Sequence, residues 1–151
     1  MRMDYKPKLL TFSLGNEEYG MSIIMVKELI GMMHITPVPK TPEYLKGVIN
    51  LRGKIVPVVD LRLKFGMEPQ EYTDRTCIMV VETFVRDSIK TLGLIIDSVS
   101  EVVQISADTI DPPPESTSGI DASVILGMAK HENNVFIILD TEKIFDFYDT
   151  I

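Results

Sequence analysis

The chain has 151 residues, 45% of them apolar, and 15 Lys and Arg against 22 Asp and Glu give it a formal net charge of −7. That is enough apolar mass to bury a core unaided, and the acidic surplus opposes non-specific binding to nucleic acid or to an anionic membrane, so the expected partners are proteins. One cysteine, Cys77, excludes an intramolecular disulfide, the polar start from Met1 to Pro7 lacks a secretory apolar core, and no apolar run approaches the roughly 20 residues of a membrane span. A soluble, cytoplasmic protein without direct membrane insertion is expected.

Leu10, Phe12 and Leu14 alternate onto one face of a strand at 9–14, and Gly15-Asn16-Glu17-Glu18 supplies turn chemistry before Tyr19-Gly20-Met21, so a hairpin is predicted. Ser22 is placed to cap a short helix over 23–30, and Pro37, Pro39 and Pro42 then mark an irregular crossing. A second hairpin follows, with strands at 48–51 and 55–59 joined through Arg52-Gly53-Lys54. Asp60 is the predicted N-cap of a helix over 61–65 that stops at Gly66.

The remainder repeats this unit. Gly20, Val26, Glu28, Leu29 and Ile30 correspond in order to Gly93, Val99, Glu101, Val102 and Val103, and Gly47, Asp60 and Phe65 correspond to Gly127, Asp140 and Phe145. The spacing changes between these two series in the second crossing, where Pro112-Pro113-Pro114 and a Ser/Thr/Gly stretch lengthen the loop. Short strands at this spacing with little helix predict a mainly β protein of two small five-stranded barrels with short helices. The approximate subdomains are 15–74 and 75–140, with the first strand and the C-terminal helix completing the packing.

No catalytic constellation is legible. His34, His131 and Cys77 are far apart, so no metal spacing exists, and Gly15-Asn-Glu-Glu-Tyr-Gly20 lacks the Lys-Ser/Thr of a phosphate loop. Asp60 and Asp140 read as helix caps and Cys77 as a small hydrophobe in an apolar strand, so no cofactor is expected. Three features exceed the needs of folding: nine methionines, with Met25, Met32 and Met33 near the first crossing; the wide apolar run Ile23-Ile24-Met25-Val26; and the Asn50-Leu51-Arg52-Gly53 turn, replaced in the second copy by Lys130-His131-Glu132-Asn133. The methionines serve the core or an adaptable surface, and the apolar run is buried between subdomains or faces a partner.

The stretch Gly47-Val-Ile-Asn-Leu-Arg-Gly-Lys-Ile-Val-Pro-Val-Val-Asp-Leu-Arg-Leu-Lys-Phe65 resembles the signature of the CheW family of chemotaxis coupling proteins, with further similarity at Phe12 to Gly20, Val26-Lys-Glu28, Pro37-Val-Pro39, Gly93 to Asp97 and Ile137 to Asp140. It covers 8–148 as a single module. The resemblance implies two SH3-like barrels packed together, no catalysis, and an adaptor that joins the cytoplasmic tip of chemoreceptors to the regulatory domain of the histidine kinase CheA within membrane receptor arrays. Carried over by motif position, it implies kinase contact at Val26 and Glu28 and receptor contact at Asn50 and Arg52. Cys77 and Val102 match receptor-side positions near the groove between barrels, with Cys77 standing where relatives often carry an aliphatic residue. A CheA-type or CheV-type domain, or a generic SH3-like peptide binder, is the alternative; the sequence shows neither a kinase's ATP-binding signatures nor a receiver's acidic pocket, and it has no Trp.

Overall fold

The computed structural model describes residues 7–112 and 122–145, which leaves Pro113, Pro114 and the Ser/Thr/Gly stretch after them outside the described residues. The first hairpin is β1 (Lys8–Leu14) with β2 (Glu17–Ser22), Phe12 lying opposite Tyr19. A 3-10 turn, Ile23–Met25, leads into β3 (Val26–Gly31). The second hairpin is β4 (Leu45–Leu51) with β5 (Lys54–Asp60), followed by α1 (Leu61–Lys64). The later part repeats the order: β6 (Cys77–Val85), β7 (Ser88–Ile96), β8 (Ser98–Gln104), β9 (Ile125–His131), β10 (Asn134–Leu139) and α2 (Thr141–Ile144).

The helix expected over 23–30 is a correction. Ser22 makes no side-chain cap bond, and from Val26 to Gly31 burial alternates residue by residue, a strand's period of two. β-branched Ile23, Ile24 and Val26 resist helical packing, and β6 offers a ladder on which Leu29 pairs with Met79.

The strands form two five-stranded sheets, ordered β8-β1-β2-β10-β9 and β3-β6-β7-β5-β4. Under the sequence repeat these orders are identical. Each has one parallel pairing, Ile138 with Gly20 in the first sheet and Val58 with Gly93 in the second. The repeat units are nevertheless exchanged. The first sheet takes residues 8–22 and 98–139, and the second takes 26–96, so the expected division at 15–74 and 75–140 follows the repeats and does not follow the sheets. The reason lies in the connections: the turn Ile23–Met25 and the single residue Asp97 are too short to return the chain to its own sheet and pass it to the other.

The sheets are open between their end strands, a correction to closed barrels. Among the described residues, one two-way bridge spans each gap. Thr36 and Val48 exchange N–H···O bonds of 2.9 Å, and Asp111 and Met128 do so at 2.8 Å. Gly47 permits the first of these: its φ is +140°, and a Cβ there would lie 2.1 Å from the Thr36 carbonyl oxygen. Gly127 repeats it, with the Asp111 oxygen 2.6 Å from the same point.

The largest core lies between the sheets. Leu10, Phe12, Leu14, Tyr19 and Met21 of the first sheet meet Met79, Val81, Leu92, Leu94 and Ile96 of the second, with Leu61, Phe65, Ile144 and Phe145 closing it. The alternate residues fill each sheet's own concave side: Leu9, Val103, Phe136 and Ile138 in the first, Ile49, Val56, Ile78 and Val80 in the second. Tyr19 stacks between Phe12 and Phe65 at 5.9 Å from each, and burial pushes its phenol up to about 12. A bulge in the β1–β8 pairing is healed by Thr11, whose hydroxyl donates to the Glu101 carbonyl (2.9 Å) and accepts the Glu101 N–H (3.1 Å).

Both expected caps form, unequally. Asp60 is buried, and its Oδ1 accepts the N–H groups of Arg62 (2.9 Å) and Leu63 (3.3 Å) while Tyr72 donates its hydroxyl to Oδ2 (2.9 Å). Asp140 accepts one, from Glu142 at 3.0 Å. Asp60→Ala is therefore expected to cost about 2–3 kcal/mol in urea unfolding and Asp140→Ala about 1 kcal/mol; equal losses would mean that the Tyr72 bond adds nothing. Gly47→Ala should cost about 2–4 kcal/mol by the same measurement, because both the φ and the contact with Thr36 are lost to it.

Candidate partner-binding surfaces

The β4–β5 turn is a two-residue connection flanked by the pair Leu51–Lys54. Its central residues both have positive φ, +52° at Arg52 and +85° at Gly53, the form that follows the twist of the strands it joins. Asn50 fixes it by accepting the Gly53 N–H on Oδ1 at 2.8 Å. Arg52 projects from it and forks onto Glu28 of β3: Nη1 donates to Oε2 at 3.4 Å and Nη2 donates to Oε1. The guanidinium side chain remains 66% exposed. Its hydrogen bond, followed by its charge, holds the Glu28 carboxyl below the usual carboxylate range, and Glu28 in turn raises Arg52. A receptor-side and a kinase-side candidate are thus bonded partners, which spacing in the sequence did not suggest.

The second copy keeps the backbone and changes the chemistry. Glu132 sits where Arg52 does, with φ +57°, and His131 leans on the Phe136 ring at 6.2 Å between centroids.

Val26 is half-buried against the inter-sheet core, so it has a packing role as well as any contact role. Cys77 begins β6, pairs with Gly31 and Ile96, and is half-buried; burial pushes its thiol up, which keeps it a protonated and weak nucleophile. Val102 lies on β8 opposite Leu10 and is half exposed. Five of the six candidates, Val26, Glu28, Asn50, Arg52 and Cys77, therefore share the second sheet, and Val102 alone belongs to the first.

Two further groups stand out in the fold, the second of them completing the apolar run Ile23 to Val26 noted in the sequence. One is Arg62, a buried arginine paired with Asp97 at 2.7 Å. The other is a shallow apolar hollow of about 250 Å³ formed by Ile24, Met25, Phe84 and Ile89, with Ile24 82% and Phe84 71% exposed. A signal existed for the second: the β6–β7 ladder runs on through Phe84–Ile89 and Val85–Ser88, where the β1–β2 ladder has already turned. The outward part of the run Ile23 to Val26 is Ile24.

Among the described residues no three His, Cys, Asp or Glu side chains are grouped to hold a metal ion, and no helix is long and apolar enough to cross a membrane. A polar pocket of about 80 Å³ is lined by Asp60, Arg62, Tyr72 and Asp97. The carboxylates of Asp60 and Asp97 are engaged by backbone N–H groups, the tyrosine hydroxyl and the arginine.

Comparison with known proteins agrees with this architecture. The family model described as "CheW-like domain" matches residues 8–148. The chain is similar to the chemotaxis protein CheW of Klebsiella aerogenes, 36% identical over 137 residues, covering 91% of this chain and 80% of that protein. It is also similar to the chemotaxis protein CheW of Treponema pallidum, 34% identical over 148 residues and covering 94% and 84% respectively. In structure it resembles the scaffolding protein TtCheW from Thermoanaerobacter tengcongensis with a TM-score of 0.81, at 39% identity and covering 90% of this chain and 85% of that one.

The Glu28–Arg52 pair is open to direct measurement. Because the folded carboxyl titrates below its ordinary value, the pair's contribution is complete above the usual carboxylate range and disappears as pH falls through the lowered value. A side-chain NMR titration should find the Glu28 midpoint below that of free glutamate, and Arg52→Ala should bring it back up. A midpoint indifferent to Arg52 would show that the pair does not form in solution.

Proposed function

Because the chain belongs to the CheW-like family of chemotaxis adaptors, we propose that it is a non-enzymatic adaptor joining the cytoplasmic tips of methyl-accepting chemoreceptors to the regulatory domain of the histidine kinase CheA. It acts in the cytoplasm, recruited to membrane receptor arrays. Asn50 and Arg52, with Cys77 and Val102, meet the receptor; Val26 and Glu28 face the kinase. Binding both partners at once raises the concentration of each near the other, and one body built around a common core sets their relative orientation.

The observation that carries this reading is the contrast between the two copies of one turn. Arg52 and Glu132 occupy the same left-handed backbone, so the fold requires the conformation in both places and a guanidinium in neither. The arginine is exposed, held in a fixed direction by Glu28, and set beside Asn50: a fork presented at a hairpin tip, well suited to a carboxylate or carbonyl on a partner helix.

Calorimetric titration of the full chain with a receptor-tip fragment, and separately with the kinase regulatory domain, tests it. Arg52→Ala is expected to weaken receptor binding roughly tenfold, about 1.4 kcal/mol, with kinase affinity and melting temperature near those of the parent. Alanine is the informative choice, since Arg52→Glu would set a second carboxylate against Glu28 and disturb both surfaces. Unchanged receptor affinity removes Arg52 from the receptor site, and failure to bind either protein removes the coupling role.

A further inference from the structure

We propose that Arg62 is a positioning residue: it latches one sheet against the other at the Asp97 crossing and so fixes the angle between them. Asp97 is the single residue between β7 and β8, the place where the chain leaves the second sheet for the first. Its Oδ2 accepts from Arg62 Nη1 at 2.7 Å and from the Gly15 N–H at 2.7 Å, and its own N–H donates to the Ser13 carbonyl at 3.1 Å. Arg62 Nε also donates to the Glu68 carbonyl at 3.4 Å. One buried guanidinium thus joins α1, which follows the second sheet, to the β1–β2 turn of the first.

The internal repeat supplies a control built into the molecule. Phe12 faces Tyr19 as Val81 faces Leu92, and counting from these pairs the repeat carries Gly15 onto Phe84 and Asp97 onto Ile24, while the match of Asp60 with Asp140 carries Arg62 onto Glu142. Two of the three are apolar, none carries a cation, and among the described residues none repeats the Arg62–Asp97 pair. The turn Ile23–Met25 has no side-chain cap bond and buries none of its residues, Ile24 and Phe84 are largely exposed, and Glu142 points to solvent. One edge of the interface is closed by directional, charge-assisted bonds, and its pseudo-symmetric edge carries apolar side chains in their place. The core between them is non-directional, so burial favours contact between the sheets without fixing an angle, whereas a planar fork in a buried site does fix one. Relative sheet orientation is what an adaptor of the kind proposed above transmits, and in that respect the functional meaning rests on that reading; the latch itself does not.

Pulsed electron paramagnetic resonance on the full chain tests the latch. Spin labels at Ile55→Cys on β5 and Asn134→Cys on β10, in a Cys77→Val background, report the distance between the sheets. Arg62→Met, which keeps the apolar stem and removes the fork, is expected to broaden the distance distribution roughly twofold, Arg62→Lys to broaden it less, and Glu142→Met to leave it unaltered. Should Arg62→Met fail to fold, Asp97→Asn, which retains an acceptor for Gly15, is read the same way. A lowered melting temperature with an unaltered distribution makes Arg62 a stabilising residue only and overturns the proposal, as does equal broadening by Glu142→Met. These outcomes do not depend on whether receptor or kinase binding is observed.

Discussion

Burial of β1, β2, β6 and β7 on both faces is the constraint on which the remaining features depend. One face of each of these strands contributes to the apolar layer between the sheets, where Phe12, Tyr19, Met79 and Leu94 are fully buried, and the other lines its own sheet's concave side, with Gly20 packed beside Leu9 and Gly93 beside Ile78. Over their buried stretches these strands have no surface left for a partner, whereas the far end of the β6–β7 hairpin, at Phe84 and Ile89, is exposed. The outer strands β3, β4, β8 and β9 are sheet edges, and it is on these, or on the turns beside them, that Val26, Glu28, Asn50, Arg52 and Val102 are found. Cys77, at the start of β6, is the exception, and its half-buried thiol reflects that.

The fold is duplicated and its chemistry is not. Gly47 and Gly127, Asp60 and Asp140, and the positive-φ residues Arg52 and Glu132 preserve the same backbone in both halves. What differs is the side-chain equipment laid over it: an exposed arginine fork against a glutamate, a doubly used cap against a single one, a charge-assisted joint against an apolar hollow. The common half of each pair sets the backbone, and the divergent half sets what each copy exposes.

Much of the local structure could be read from the residues because it is determined locally. Hairpins follow from alternation and turn residues, and both caps follow from an Asp placed just before a short apolar helix, so these agree with expectation. The apolar run of segment 23–30 suits either period, and the pairing of Leu29 with Met79 that makes it a strand is far away in sequence. The exchange of hairpins between the repeats was invisible for a related reason. A duplication shows that two units are alike and is silent about which copy a hairpin docks against. The same holds for the ion pairs, where Glu28 and Arg52 are 24 positions apart and Arg62 and Asp97 are 35 apart. Residue type suggested Arg52 as a contact, while its partner was supplied only by the fold.

Nesting one sheet inside the other also sets an order of assembly. The second sheet is drawn from the continuous stretch 26–96, and every pairing within it can form once that stretch has left the ribosome. The first sheet opens with β1 and β2 but gains its remaining strands only from residues 98–139, so during synthesis the leading hairpin waits with one apolar face and one strand edge uncovered. Its inward face has the inner sheet to rest on in the meantime, and the shared layer therefore serves as a template on which the outer sheet is completed. Separating the chain at the boundary between its repeats would leave two fragments, neither holding a whole sheet, so the two copies survive as one cooperative body that must be made in full before either is finished.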